Sequence, residues 1–153
     1  MEEKHKKILA SLQAKCASRE YCVHDIRLKA LKAADGDEAL ADELVASLVK
    51  DRFVDDLRYA GAFAREKASL TGWGSVKISY ALAAKGIDRK TIALALEEID
   101  HPASQGRLEG VLKAKLRTLE GDPQRKLKLL RFALSRGYSY DEVRPVVDRL
   151  LDE

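Results

Sequence analysis

The sequence repeats itself at an interval of about 51 residues, and this repeat limits the possible folds more than any other feature of the chain. In the middle of the chain, apolar residues recur every three or four positions in two successive segments, which is the spacing of amphipathic helices. The same positions return 51 residues downstream and 52 residues upstream. They are Ile78, Leu82, Gly86, Ile92, Leu96 and Ile99 in the middle copy, Leu129, Ala133, Gly137, Val143, Val147 and Leu150 downstream, and Ile26, Ala30, Ala34, Leu40, Leu44 and Leu48 upstream. Three divergent copies of one helical unit are predicted.

Each copy is predicted to contain a further helix before this pair. From Val54 to Ala68 the apolar residues, Leu57 among them, fall on one half of a helical wheel, which fits a helix and no strand. Ser75 and Asp88 are the predicted N-caps of the next two helices, and His101-Pro102 is predicted to end the third.

The predicted fold is therefore all-α, with three tandem three-helix, helix-turn-helix-like repeats in an elongated, curved array. The expected repeats are residues 1–52, 53–101 and 102–153. The 46% apolar content is ordinary for a chain with a real core. Charged residues make up 35% of the chain, mostly in mixed sign along helix faces, which favours an extended solvated surface over one thick globule.

The middle copy resembles a known family, the bacterial regulatory protein RecX, which modulates the RecA recombinase. Residues 55–60 (DDLRYA), Phe63, 72–78 (GWGSVKI) and 81–87 (ALAAKGI) carry the similarity. Weaker matches lie at residues 18–22 (SREYC) and 134–138 (LSRGY). The resemblance covers nearly the whole chain. It implies a non-enzymatic regulator that binds the RecA filament on single-stranded DNA and restrains ATP hydrolysis, strand exchange and stimulated repressor cleavage, in DNA repair, recombination and the SOS response.

The absence of certain sequence features indicates the cellular compartment and the cofactors to expect. There is no run of eighteen apolar residues, and the first residues contain no apolar signal region, so we expect a cytoplasmic protein with no membrane partner. Cys16 and Cys22 are expected to be reduced thiols, with a disulfide or half of a metal site as the alternatives. The three histidines are scattered, so neither a metal nor a cofactor is expected. The chain is expected to be a monomer.

Positive charge is concentrated in the last copy. Nine basic residues stand against three acidic ones between Arg107 and Arg136, whereas the whole chain has a net charge of +3. A helix is predicted from Pro123 to Ser135, with Leu127, Leu130 and Leu134 inward and cations beside Phe132 on the opposite face. Such a face suits an acidic protein groove or nucleic-acid phosphates, although Phe132 is expected to pack against the neighbouring repeat. The candidate partner-binding residues are Arg125, Lys128, Arg131, Arg136, Lys113, Lys115 and Arg117, with Arg58, Lys85 and Arg89 of the middle copy as the second choice.

No catalytic constellation is recognisable, so the chain is not expected to be an enzyme. Asp55 and Asp56 are adjacent and therefore point about 100° apart on a helix, so they cannot share a proton or a metal. One of them is expected to cap the helix and the other to be exposed. Residues 72–74 are too short for a phosphate-cradling loop, and Trp73 is expected to pack between repeats, with an exposed contact residue as the alternative.

Two functions remain open on the sequence. The resemblance implies binding to the RecA filament, with single-stranded DNA as a possible direct partner. The alternative is a helical module that binds DNA directly through phosphate contacts of the last copy. Sequence-specific binding is disfavoured, because no second helix presents Asn, Gln and Arg at base-reading spacing.

Overall fold

The computed structural model describes residues 2–152, and those residues form helices joined by short turns, with no strand among them. The predicted all-α class is therefore confirmed. Each predicted copy contributes three helices, and the pattern of apolar residues matches them. The helices are α1 (Glu3–Ser18), α2 (Val23–Ala33), α3 (Glu38–Lys50), α4 (Asp56–Ser69), α5 (Ser75–Ala84), α6 (Arg89–Leu96), α7 (His101–Thr118), α8 (Arg125–Ser135) and α9 (Tyr140–Asp152).

The apolar side chains collect into three separate hydrophobic clusters rather than one core. Ile26, Ile78 and Leu129, which the repeat makes equivalent, are each fully buried in a different cluster. The main helix contacts also lie within α1–α3, α4–α6 and α7–α9. The clusters overlap the expected boundaries slightly, because Val54 packs into the first cluster and Cys22 into the second. We propose that α1–α3, α4–α6 and α7–α9 are three structural units, and that residues at the unit boundaries pack into the neighbouring unit.

Four of the helices have an aspartate as N-cap. In each of them the aspartate side chain accepts a hydrogen bond from a backbone N–H of the first turn, which would otherwise have no partner within the helix. Asp88 does this for α6, as predicted, by accepting from Thr91 at 2.7 Å. Asp100 does it for α7, so His101 and Pro102 begin a helix and do not end one. That prediction was wrong because proline is also favoured in the first turn of a helix. The remaining two are Asp37 of α3 and Asp55 of α4.

The predicted apolar face of α4 is buried or partly buried as expected apart from Leu57, which is 47% exposed. The predicted apolar face of α8 is largely wrong. α8 begins at Arg125, and its buried residues are Leu129 and Ala133; Leu130 packs partly buried against the third cluster, whereas Leu127 and Leu134 are largely exposed. The leucines at helical spacing were thus misleading, and the positions matched by the repeat were the correct guide to the face that packs.

The start of α5 depends on the third unit. Gly74 donates its N–H to the carbonyl of Arg136 at 2.9 Å, and Val76 donates to the carbonyl of Gly137 at 2.9 Å. Gly74 is the N-cap, so the prediction that Ser75 caps this helix was wrong. A Cβ atom on Gly74 would lie 2.4 Å from the Gly137 carbonyl, so this close approach of two backbones requires glycine.

The start of α2 depends on the second unit in a similar way. Asp56 accepts the N–H of Val23 at 2.8 Å and is partly buried, so it is not the exposed carboxylate that the sequence predicted. The contact joins residues 33 positions apart, which local spacing cannot reveal. We call the contact of the first two units the first junction and that of the last two units the second junction.

Candidate partner-binding surfaces

The exposed side of α8 carries two guanidinium groups that have no ion-pair partner within residues 2–152, those of Arg125 and Arg131. They are exposed because Leu129 and Ala133 turn the opposite side of the helix into the third cluster. A guanidinium can bind carboxylate or phosphate through two parallel hydrogen bonds. These two groups are therefore available to an acidic partner without first breaking an internal contact.

Lys128 lies on the same helix but is already occupied. Its ammonium bonds the carboxylate of Asp122, and this hydrogen bond, together with one from the N–H of Gln124, holds the Asp122 pKa below its usual value. Ion pairs on the surface are weak, so a partner with a better-placed carboxylate or phosphate can displace Asp122. Of the three cations predicted on this face, Arg125 and Arg131 are the more available.

Two more predicted cations, together with Arg125, surround a cleft between α7 and the end of α9. The cleft has a volume of about 410 Å³, and Lys113, Arg117 and Arg125 stand around an apolar floor that includes Leu150 and Leu151, with one carboxylate, that of Glu120, in the same lining. Lys113 also lies 3.5 Å from Glu109 on its own helix. Basic groups around a small apolar floor suit an acidic segment that carries an apolar side chain.

The predicted cations of the middle unit divide into two kinds. Arg58 and Lys85 hold the first junction, because Arg58 bonds Glu20 and the Lys85 ammonium lies 3.0 Å from Asp25. Their pKa values are raised, chiefly by those hydrogen bonds. Arg89, in contrast, is exposed beside a shallow apolar groove that also contains Tyr80, whose ring is 76% exposed. Only Arg89 of these three is free for a partner within the described residues.

Lys115 and Arg136 are brought together by Phe132. The Lys115 ammonium lies 5.2 Å from the centre of the Phe132 ring, and the Arg136 guanidinium carbon lies 6.0 Å from it. Phe132 packs into the cluster of its own unit, so the expectation that it packs against the neighbouring repeat was wrong. The Nε atom of Arg136 is buried and has no hydrogen-bond partner in the part of the chain that the structure describes.

Sequence reasoning missed the cations around Trp73. The ammonium groups of Lys67 and Lys77 lie 4.8 Å and 4.6 Å from the centre of the Trp73 ring, which is partly buried against the second cluster. Such exposed cation–aromatic contacts contribute about 0.5–1 kcal/mol each. Because Arg136 lies at the same junction, we call Lys67, Trp73, Lys77 and Arg136 the junction cluster. The sequence feature that could have revealed these cations is the 52-residue repeat. It aligns Lys77 with Asp25, so the middle copy has a positive charge where the first copy has a negative one.

Three other features that could bear on function among residues 2–152 are metal ligands, cysteine thiols and membrane-spanning helices. No group of three or more potential metal ligands is present in that range. Cys16 and Cys22 are both free and buried, and burial raises the pKa of each thiol. No helix in the described part of the chain is long and apolar enough to cross a membrane.

The fold and these surfaces define a class of protein, an array of three-helix units with cations exposed on its surface. Comparison with known proteins identifies the family. A family model described as RecX, second three-helix domain, matches residues 55–96. The chain belongs to the RecX family.

Relatives of known name support this assignment. The regulatory protein RecX of Halalkalibacterium halodurans is 34% identical over 119 residues, which cover 76% of this chain and 44% of that protein. The regulatory protein RecX of Clostridium acetobutylicum is 29% identical over 136 residues, which cover 84% of this chain and 62% of the relative. The match therefore spans about half of the length of these curated relatives.

The fold is also that of solved RecX structures. The crystal structure of RecX from Lactobacillus salivarius superposes with a TM-score of 0.85 at 19% identity and covers 97% of both chains. A crystal structure titled regulatory protein RecX gives a TM-score of 0.84 at 20% identity and covers 95% of this chain and 72% of the other. At this level of identity the likeness concerns the fold alone.

Proposed function

We propose that this protein is a non-enzymatic regulator that binds the RecA filament on single-stranded DNA and lowers its ATPase activity. The family assignment supports the partner, since its relatives are named regulatory protein RecX. The observation that carries the proposal for this chain is the pair of exposed guanidinium groups of Arg125 and Arg131 on α8, which form no ion pair within residues 2–152. A cytoplasmic location follows from the partner and belongs to the same proposal.

The physical basis is electrostatic complementarity. A RecA filament on DNA offers phosphate and acidic protein surface, so basic residues of α8 would speed encounter and then make short contacts. The arginines are expected to make the close contacts, because their planar groups pair with carboxylate or phosphate in two places at once. Lysines such as Lys113 and Lys128 would contribute mainly to encounter rate and salt sensitivity, since each already has a carboxylate neighbour.

The first test is the ATPase activity of the host's RecA on single-stranded DNA, measured across a titration of this protein. We expect a decrease at or below one molecule of this protein per RecA, and no ATP hydrolysis by this protein alone. An unchanged ATPase rate and filament lifetime at saturating protein would refute the proposed function.

The second test locates the contact on α8. We expect the double substitution Arg125→Ala with Arg131→Ala to weaken filament binding at least about tenfold, which corresponds to about 1.4 kcal/mol. Thermal stability should hardly change, because both side chains are exposed and neither forms an ion pair within the described residues. The measurement is a binding titration against assembled filaments at several salt concentrations.

The matched control removes two cations from the first unit, Lys29→Ala with Lys32→Ala, and should have little effect. Both lysines are exposed and belong to a unit whose charges balance over residues 1–50. If both double variants bind equally well at every salt concentration, α8 is only solvated surface. Arg89, which is free on the middle unit, would then be the next candidate.

A further inference from the structure

The two junctions are built on the same pattern but differ in charge. α2 begins at Val23 and α5 at Ser75, so Asp25 and Lys77 occupy the same first-turn position. The residues that follow α5 and α8, Lys85 and Arg136, are equivalent in the same way. At the first junction Lys85 lies 3.0 Å from Asp25. At the second junction, Lys77 occupies the position that Asp25 has at the first.

The second junction consequently lacks an internal counter-charge. Lys77 and the Arg136–Gly137 turn are in direct contact, because the N–H of Lys77 donates to the Gly137 carbonyl at 3.3 Å. Lys67, Lys77 and Arg136 each have no carboxylate within 4.0 Å among residues 2–152. The enclosed, unbonded Nε of Arg136 adds a cationic donor without an acceptor. Cations gathered in this way bind an anion supplied from outside.

The ring of Trp73 indicates which class of anion would bind at this site. Trp73 occupies the position that Tyr21 has in the first unit, directly before the helix. Lys67 and Lys77 cover its ring, and lysine side chains are flexible enough to leave the ring for an adjacent phosphate. A single-stranded nucleic acid alternates phosphates with bases that stack on aromatic rings. In a duplex the base faces are already stacked, so only the phosphates would be recognised.

We propose that the junction cluster is a binding site for single-stranded nucleic acid, in which Lys77 and Arg136 hold a phosphate and a neighbouring base stacks on Trp73. The site deepens the proposed function and rests on it for the biological setting, the strand inside the filament. Binding of the strand itself does not require RecA. An acidic peptide would neutralise the cations but would leave the tryptophan without a role.

The test uses the intrinsic fluorescence of Trp73, the single tryptophan of the chain. The protein is titrated without RecA with an oligothymidylate about 12 nucleotides long, which is within the size range of such sites. We expect saturable quenching that weakens steeply with salt, and little quenching by a duplex of equal length.

The decisive variant is Lys77→Asp, which recreates with Arg136 the acid–base arrangement of the first junction. We expect binding to weaken at least about tenfold. The thermal midpoint should not fall, because an acidic residue is favourable in the first turn of a helix. The matched control, Lys90→Asp, makes the same charge change at an exposed first-turn position of α6 and should alter binding by no more than about twofold.

Three results would overturn the site. They are binding by the Lys77→Asp variant as tight as that of the wild type, equal weakening by Lys90→Asp, and equal affinity for polyglutamate or polyphosphate at the same charge concentration. The RecA ATPase assay on the same samples separates the two proposals. Quenching sensitive to Lys77→Asp without any ATPase effect would refute only the RecA function, whereas an ATPase effect without quenching would refute only the junction site.

Discussion

At the first junction, the carboxylate of Asp25 is kept ionised by neighbouring groups. Burial alone would raise its pKa, but the hydrogen bond and charge of Lys85, with a further hydrogen bond from Cys22, outweigh burial and lower it. The Lys85 pKa is raised, chiefly by the same hydrogen bond. The pair therefore stabilises the fold only while Asp25 is ionised and Lys85 is protonated.

This linkage predicts a pH window for stability. Because the Asp25 pKa is lowered in the folded state, its contribution is present above the ordinary value of 3.8 and is lost as the pH falls through the folded value. Lys85 is linked in the opposite sense, and its contribution disappears only as the pH rises above 10.5. We expect Lys85→Met to lower the free energy of unfolding by about 1 kcal/mol at neutral pH. The variant and the wild type should converge in acid.

Urea unfolding at a series of pH values measures this difference. Lys32→Met is the control, because Lys32 is exposed and forms no ion pair within residues 2–152, and it should follow the wild type throughout. A gap between Lys85→Met and the wild type that stays constant from neutral pH down to about pH 3 would contradict the assigned linkage.

Individual residues were predicted unevenly from the sequence, and the reason is the range of their contacts. Arg125 and Arg131 follow from local charge and helical spacing, and both are exposed as expected. Arg58 and Lys85 were offered as candidates for a partner, yet they bond residues 38 and 60 positions away. No local pattern could reveal those ion pairs. The function of either group of residues stays a prediction.

At the scale of helices, the repeat was the reliable guide. It identified Ile26, Ile78 and Leu129 as equivalent, and all three are fully buried. The wheel of α8 taken alone selected Leu127 and Leu134, which are exposed, because several faces of that helix carry leucine. His101-Pro102 was misjudged for a related reason, since a proline can follow one helix or stand in the first turn of the next.

The turns after α5 and α8 give a prediction about two glycines. Gly86 and Gly137 both have positive φ angles, of 76° and 90°. A Cβ atom on Gly86 meets nothing within 4 Å, whereas on Gly137 it would lie 2.2 Å from the Cβ of Lys77. Gly86→Ala should therefore cost about 1–2 kcal/mol from backbone strain alone. Gly137→Ala should cost more, because the second junction must also open.

Thermal or urea unfolding of the two variants checks this order. Gly110→Ala is a suitable control, because Gly110 lies inside α7 with open space around it and alanine is the better helix former. Equal losses for Gly86→Ala and Gly137→Ala would mean that the junction contact contributes nothing to stability.

The whole molecule consists of three clusters in sequence, and this arrangement predicts local unfolding. Leu112 is fully buried in the third cluster, so Leu112→Ala should cost about 2–5 kcal/mol there. In repeat arrays a lesion acts mainly on its own unit and on the neighbouring interface. We expect faster amide exchange in α7–α9 and at the start of α5, with α1–α3 nearly unchanged. Uniform acceleration along the chain would indicate a single cooperative unit.

The dependence of one unit on the next also has a consequence in time. α2 begins on the Asp56 carboxylate and α5 on the Gly137 carbonyl, whereas α8 begins beside Asp122 of its own loop. A ribosome adds about 5–20 residues per second, so roughly 3–12 s separate the synthesis of Val76 from that of Gly137. During that interval the first amides of α5 have only water as a partner. The nascent chain therefore completes its middle unit late, after the turn that closes it has been translated.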